Sequence, residues 1–390
     1  MSTLDIQYTC DVAIIGGGPV GAALALALCD SKLDVRVLEA RKIEQVSTDP
    51  RALALSYGSR LLLDRIGIWN KLTSVTPIRA IHISQKNSFG RTLLRASELK
   101  VPELGYVLPH SDLQTALQSA LHASELACLD GAEVTQLDHA ADSASITYQH
   151  GGDSHLLKAR LAVVADGGKL LATTHPPEVR DYEQSAIVAH VTCTQPKTDT
   201  AFERFSAHGP VALLPFGDGY ELVWTVASNA VQEMLQWDDA YFLTQLHQHF
   251  GDRVGQFLTV GKRASFPLRL KLAPDITLPH TVLLGNAAQT LHPVAGQGFN
   301  MGLRDAYELA QEIFGCAPDA LGSEAMLRSY HKQRRIDRNG GIHFTDGLVR
   351  SFSNDLPLIN SARAAALSLL DCLPGAKKFV TRRMMFGANG

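Results

Sequence analysis

The sequence predicts an α/β protein in which a second, mostly antiparallel sheet is inserted and a helical C-terminus follows, and three observations lead there. Near the N-terminus a short apolar run, a glycine cluster, an Ala/Leu-rich stretch and a second apolar run succeed one another, the strand, turn, helix, strand order of a parallel βαβ unit. From about residue 178 to 272 the pattern shifts to alternating apolar and polar positions, as in antiparallel strands with one covered face. Beyond Glu324 the chain reads as helical. At 390 residues it can hold more than one core, since domains average roughly 150 residues. The expected division is a discontinuous dinucleotide-binding domain over 1–75, 99–177 and 275–323, a substrate domain over 76–98 and 178–274, and a helical region over 324–390.

Taken in order, residues 12–15 form a buried strand, and residues 19–29, rich in strong helix formers, a helix. Residues 35–38 form the next strand. Residues 53–66 and 111–123 read as helices, the second with Ser111 as N-cap. Residues 161–165 are a buried strand that stops at Asp166-Gly167. In the second region, residues 186–193, 211–215 and 220–226 read as antiparallel strands, the last two joined through Gly217-Asp218-Gly219. Residues 282–284 return to a buried strand, followed by a glycine-bearing loop and a helix over 298–314.

Composition removes several classes of function. Apolar residues make up 45% and charged residues 19%, with a formal net charge of −3, so nothing draws the chain to nucleic acid. Six cysteines are scattered without a C-x-x-C pair, which excludes a legible zinc site or disulfide framework and fits a reducing compartment. No stretch reaches the ~20 apolar residues of a spanning helix, and no signal-peptide pattern opens the chain. A cytoplasmic protein is expected, with any membrane contact peripheral.

The first chemical motif is Gly16-Gly17-Gly18-Pro19-Val20-Gly21, a G-x-G-x-x-G between strand and helix. Gly16 allows the tight turn, Gly18 lets backbone approach a pyrophosphate, and Gly21 lets the helix pack on the strand. The helix N-terminus supplies N–H groups and partial positive charge. Glu39, with Ala40 after it, ends the next strand about 20 residues on, where an acid binds a ribose hydroxyl. Its carboxylate would repel a 2′-phosphate, which leaves FAD and NAD ahead of NADP at this site. Turn glycines alone would give the same letters without the context.

The second motif runs from Gly285-Asn286 through His292-Pro293 to Gly296-Gln297-Gly298-Phe299-Asn300. It makes a second anion-friendly helix start. Backbone N–H groups of Gly296, Gln297 and Gly298 would there stabilise charge on a reduced flavin; an ordinary helix cap is the alternative. Asp166 either accepts from a ligand or closes its own turn. Arg51 either reaches a pyrophosphate or flavin edge or is solvated. His292 reads as structural rather than catalytic. No metal-ligand cluster and no nucleophilic triad is found, and no general base can be named.

These residues resemble the flavoprotein aromatic hydroxylases with the p-hydroxybenzoate hydroxylase fold, whose hallmarks match Gly16 to Gly21, Asp166-Gly167 and Gly285-Asn286. More narrowly the chain resembles the ubiquinone-biosynthesis branch, through Ala201-Phe202-Glu203-Arg204-Phe205 with His208-Gly209-Pro210, and through residues 285–300 continuing to Arg304-Asp305. Where the wider group has Asp, Asn286 is similar to members acting on 6-methoxyphenols. The family's Ser and Arg after the D-G pair are absent from residues 168–172, and His110 stands where many relatives have Arg or Asn.

The resemblance implies an FAD-binding Rossmann-type domain with NAD(P)H as transient reductant. It further implies an aromatic hydroxylase using O2 through a flavin C4a-hydroperoxide, with a polyprenylated methoxyphenol as substrate. The cofactor carries the difficult chemistry and the protein positions and desolvates it. Cofactor contacts are expected at Gly16, Gly18, Pro19, Val20, Gly21, Glu39, Ala40, Arg51, Asp166, Asn286, Pro293, Gly296, Gln297, Gly298 and Asn300. Because a prenylated phenol is a membrane lipid, Lys377, Lys378, Arg382 and Arg383 would touch the inner membrane face or partners in a ubiquinone-biosynthesis complex; a helix packed on the protein's own core reads the same. A reductase of the same fold without oxygenation, and a non-catalytic assembly subunit, stay open at this point.

Overall fold

The computed structural model describes residues 6–42, 49–140, 142–206, 209–292, 296–352 and 357–389. Its first sheet starts with Ile6–Ile15, whose Val12, Ala13, Ile14 and Ile15 are all buried, the unbroken apolar run required of a strand covered on both faces. Val35–Glu39 lies parallel on one side and Asp153–Val164 on the other. Ala127–Asp130 and Thr281–Leu283 extend the sheet at either side, again parallel. A strand near residue 280 therefore completes a sheet begun at residue 6. The helix Pro19–Leu28 makes the crossover between Ile6–Ile15 and Val35–Glu39, with Pro at its first position, where a missing N–H costs nothing.

The second sheet runs, edge to edge, Gln289–Thr290, Ala264–Leu272, Glu178–Cys193, Gly219–Ala227, Val211–Phe216, Thr200–Phe205, Ala80–Gln85 and Arg91–Arg95. All pairings are antiparallel except Thr200–Phe205 beside Ala80–Gln85. Strand alternation gives it two different faces. Phe202, Leu213, Leu222 and Trp224 pack into a core with Phe242, Leu246 and Phe250 of the helix Asp239–Phe250. Ala201, Glu203, Phe205, Ala212, Leu214 and Val223 face the other way, into a cavity.

Two expected elements differ. Residues 53–66 are not one helix: Ala52–Ser56 is a strand paired with Gly105–Pro109, and the helix Tyr57–Arg65 begins only after it, capped by the Ser56 side chain. Pairing with a distant strand overrides the helix propensity of Ala and Leu. The helix expected from Ser111 is His110–His122, with Pro109 at the N-cap position, so Ser111 sits inside the first turn and caps nothing. Thr76–Ile78 joins the small sheet of Gly105–Pro109, and the second large sheet takes up the chain from Ala80.

The C-terminal helices span both halves. Glu324–Phe352 packs on Gln297–Gly315, Pro357–Cys372 on the strand Arg91–Arg95, and Pro374–Phe386 on Tyr57–Arg65. No helix among the described residues is long and apolar enough to cross a membrane.

Candidate functional site

The C-terminal ends of the parallel strands converge where the sheet order reverses, between Ile6–Ile15 and Asp153–Val164. Such a switch point leaves a crevice for a ligand. Gly16 turns there with φ of 105°, and a side chain on it would stand 2.7 Å from the Ala165 carbonyl oxygen. A Cβ on Gly21 would overlap the Gly16 carbonyl oxygen, so only glycine lets the helix sit this close. Gly18 is the opposite case: nothing lies within 4 Å of where its Cβ would be. Gly18 also serves as N-cap of Pro19–Leu28 with no side chain capping it, which leaves the positive helix end facing the cavity. Pro19, Val20 and Ala40 line the same space.

Glu39 is buried and ties this turn together. Its Oε2 accepts from Gly17 N at 2.7 Å, and its Oε1 from Arg41 N and Nε at 2.9 Å each. Burial alone would raise the carboxyl's pKa, but the Arg41 and Gly17 donors outweigh it and hold the pKa below the usual range.

The late loop reaches the same cavity from the other side. Gly285, Asn286, Gly296 and Gly298 all line it. Gly296, with φ of 61°, is the N-cap of Gln297–Gly315, and again no side chain among the described residues caps the helix. Gly298, like Gly18, has open space where a side chain would stand. Two bare helix starts far apart in sequence thus open into one cavity of about 1140 Å³, larger than the ~300–1,000 Å³ of ordinary small-molecule pockets.

Other expected site residues are placed differently. Asn300 does not line the cavity with its side chain: Oδ1 accepts from Ser56 N at 2.8 Å and Ser59 Oγ at 2.7 Å, while Nδ2 donates to Ala54 O at 2.9 Å and Gly296 O at 2.6 Å. With every polar atom satisfied it acts as a latch. The Gln297 side chain is likewise buried away from the cavity, donating to Met384 O at 3.3 Å. Asp166 closes its own turn, accepting from Gly168 N at 2.8 Å and Leu170 N at 2.6 Å, though it borders the cavity. Arg51 pairs with Asp49 at 2.8 Å and lies 4.9 Å over the Phe266 ring, at the cavity wall. Pro293, like His208, lies outside the described residues. His292 is 1% exposed, packs edge-on against Tyr182, and has its pKa pushed down to about 4 by burial, so it is neutral.

Sequence reasoning missed what holds the late loop. Asp305 Oδ2 accepts from Gly285 N at 3.2 Å and Gln289 Nε2 at 2.7 Å, while Asp305 Oδ1 accepts from Arg334 Nε at 2.8 Å. Arg334 is fully buried and also reaches Glu308 and Asp337, each at 3.0 Å, and Asp337 accepts from Arg304 Nε at 2.8 Å. The basic stretch after residue 328 therefore clamps the loop from below. The signal was the Arg304-Asp305 pair, whose partners only the fold reveals. One group of potential metal ligands also converges, His122, Cys128 and Asp130, which the linear spacing hid. It is closed on itself: His122 Nε2 lies 2.7 Å from Asp130 Oδ2, and burial with the adjacent Asp130 charge pushes the Cys128 thiol up to about 12, away from the thiolate a soft metal needs.

From the glycine turns the cavity continues across the second sheet, past Ile81, Ile83, Leu94, Leu214 and Val223. It ends between the C-terminal helices at Phe344, Leu348, Leu367, Leu370, Val380 and Met384. One cavity thus joins a glycine-turn end of the dinucleotide-binding type to an apolar sheet face. The family model described as an FAD binding domain matches residues 9–338. The ubiquinone hydroxylase UbiL of Rhodospirillum rubrum is 33% identical over 393 residues, 96% of this chain and 89% of its own. The 3-demethoxyubiquinol 3-hydroxylase of Escherichia coli is 30% identical over 369 residues, 92% of this chain and 93% of its own. Among solved structures, p-nitrophenol 4-monooxygenase PnpA of Pseudomonas putida matches with a TM-score of 0.76 at 16% identity, over 98% of this chain and 100% of that one.

The chain belongs to the FAD-binding monooxygenases, in the group of ubiquinone-biosynthesis hydroxylases, and has the p-hydroxybenzoate hydroxylase type of fold. It is an FAD-dependent monooxygenase, and NAD(P)H use is typical of that family. The readings as a non-oxygenating reductase or a non-catalytic assembly subunit give way to this.

Proposed function

We propose that this enzyme hydroxylates the ring of a polyprenylated methoxyphenol in ubiquinone biosynthesis, in the manner of a 2-octaprenyl-6-methoxyphenol hydroxylase. The observation that carries the reading is the single cavity that runs from the glycine turns over an apolar sheet face and out between apolar helices. Its sheet portion suits an aromatic ring, and its helical portion a long prenyl tail. The similarity to a ubiquinone hydroxylase and a demethoxyubiquinol hydroxylase and the Asn at position 286 support the same substrate class.

FAD fits the residues present. Its pyrophosphate would lie on Gly16, Gly18, Pro19, Val20 and Gly21, its ribose at Glu39 and Ala40, and its ring end at Arg51, Asn286, Gly296 and Gly298. Asp166 and Asn300 would hold the backbone that cradles it, and Pro293 stays with this set as an expectation. When bound, FAD stores two electrons from NAD(P)H and delivers them to O2. The protein's part is positional: the open N-termini at Gly18 and Gly298 favour negative charge, and the apolar floor excludes water.

On the C-terminal helices Leu369, Leu373 and Phe379 are exposed, as are Lys378 and Arg382, a combination that suits contact with a membrane face or a lipid-carrying partner. Lys377 does not take part, because its ammonium is buried against Glu98 and Asp371. Mass analysis of quinone precursors in a strain lacking this gene tests the reading. Accumulation of a prenylated 6-methoxyphenol, cleared on complementation, is the expected result; unchanged precursors would defeat it.

A further inference from the structure

The cavity contains one ionisable side chain that the cofactor end does not account for. Glu39, Arg41, Asp49, Arg51, His110, Glu133, Asp166 and Lys169 line its dinucleotide end. Among the described lining residues Glu203 is the only ionisable group on the second sheet or the C-terminal helices. In register its neighbours are Ile83 on one strand and Ala212 on the other, and Ala212 in turn faces Val223. Ala201 and Phe205 flank it on the cavity face of its own strand. The next residue, Arg204, points the other way, to His249 O and Ser84 Oγ. Among the described residues no group hydrogen-bonds or ion-pairs with the Glu203 carboxylate.

A lone carboxylate on an apolar floor is costly to fold and needs a reason. Glu203 is only partly accessible, and what is accessible faces the cavity lumen. Burial alone raises its pKa to about 7, and no neighbouring charge from the flanking strands or helices contributes. A base with its pKa near the working pH transfers protons efficiently.

We infer that Glu203 is the catalytic residue that accepts the proton of the substrate's ring hydroxyl, an inference that rests on the phenol reading above. The phenolic O–H bond breaks, the carboxylate takes the proton, and the electron pair left on the substrate oxygen raises electron density at the ring carbons ortho and para to it. One of those carbons bonds to one oxygen atom of O2. The second oxygen leaves as water, reduced by the two electrons of NAD(P)H and taking up the hydrogen that NAD(P)H gives up plus one proton from solvent. The ring C–H proton is released to solvent as aromaticity returns, the newly bonded oxygen takes one up in its place to become the hydroxyl, and Glu203 hands its proton back to the original substrate oxygen.

The test uses the FAD-loaded, full-length enzyme with a short-chain prenylated methoxyphenol, O2 and NAD(P)H, and compares wild type with Glu203→Gln and Glu203→Asp. Glu203→Gln is expected to keep its flavin spectrum and its flavin reduction by NAD(P)H while the hydroxylation kcat falls by roughly 10²–10⁴-fold. The wild-type rise in rate with pH around 7 should vanish in Glu203→Gln and return, shifted, in Glu203→Asp. Equal rates and the same pH profile in wild type and Glu203→Gln would overturn the assignment of the base while leaving the substrate reading intact. A wild type that hydroxylates no such phenol, yet reduces its flavin normally, would overturn the substrate reading and this inference with it.

Discussion

The two ends of the cavity are built in different ways. At the glycine-turn end the wall turned to the cavity is largely backbone, Gly16 and Gly18 at one helix start and Gly296 and Gly298 at another, with side chains such as Glu39, Asp166 and Asn300 bracing the turns. At the sheet end the lining among the described residues is apolar except for Glu203, Thr225 and Thr290. Backbone recognition suits a cofactor that does not change, whereas a side-chain floor can be altered without disturbing the turns.

The first way to break that contrast is to remove the support of the cofactor end. Arg334→Leu leaves Asp305 buried without its cation and Asp337 with Arg304 alone, and breaking a buried pair from one side costs about 3–5 kcal/mol. Urea denaturation should show that loss, and an unchanged midpoint would mean the clamp below Gly285 is not structural.

The second concerns the floor, through pH. Because burial lifts Glu203 above its ordinary 4.5 to about 7, the folded protein binds a proton that the unfolded chain has already released. Stability is therefore lost as pH rises through that window, by about 3 kcal/mol at 1.36 kcal/mol per unit. Glu203→Gln should gain on wild type by about that amount between roughly pH 4 and pH 8. A constant difference would show the carboxylate to be solvated.

A smaller effect separates two glycines in one motif. Gly18→Val has room for its side chain in the protein but fills the cofactor's place, so a folded and colourless protein is expected, with FAD affinity down by about 100-fold, or about 2.7 kcal/mol. Gly21→Val should instead fail to fold. If Gly18→Val held FAD normally, the pyrophosphate lies elsewhere. Smallest is Ser56→Ala, which removes the N-cap of Tyr57–Arg65 and should cost about 1 kcal/mol, read as a lower Tm with flavin retained.

The same contrast explains what the sequence made legible. Gly16 to Gly21 and Gly296 to Gly298 announce themselves because a turn and the helix after it are local, and spacing alone encodes them. The residues around them act through partners hundreds of positions away. The resemblance implies a cofactor contact at Asn300, yet the fold carries its side chain onto Ser56 and Ser59. Arg334 lies in a stretch legible only as helical, since nothing local marks the three carboxylates it meets. Glu203 lay inside a recognisable motif, but only the pairing of its strand with residues 80–85 and 211–216 reveals its apolar surroundings. Residues 53–56 were misread as helix for the same reason, the competing partner being a strand some fifty residues on.

The division of one cavity into a cofactor end and a substrate floor is tested most directly by Ala212→Phe, which fills the floor beside Glu203 without touching either glycine turn. The measurement is hydroxylated phenol formed per NAD(P)H consumed, taken alongside the flavin absorbance of the purified protein. We expect full flavin content and a product yield that collapses while NAD(P)H is still oxidised. Unchanged yield, or loss of the flavin itself, would contradict the account.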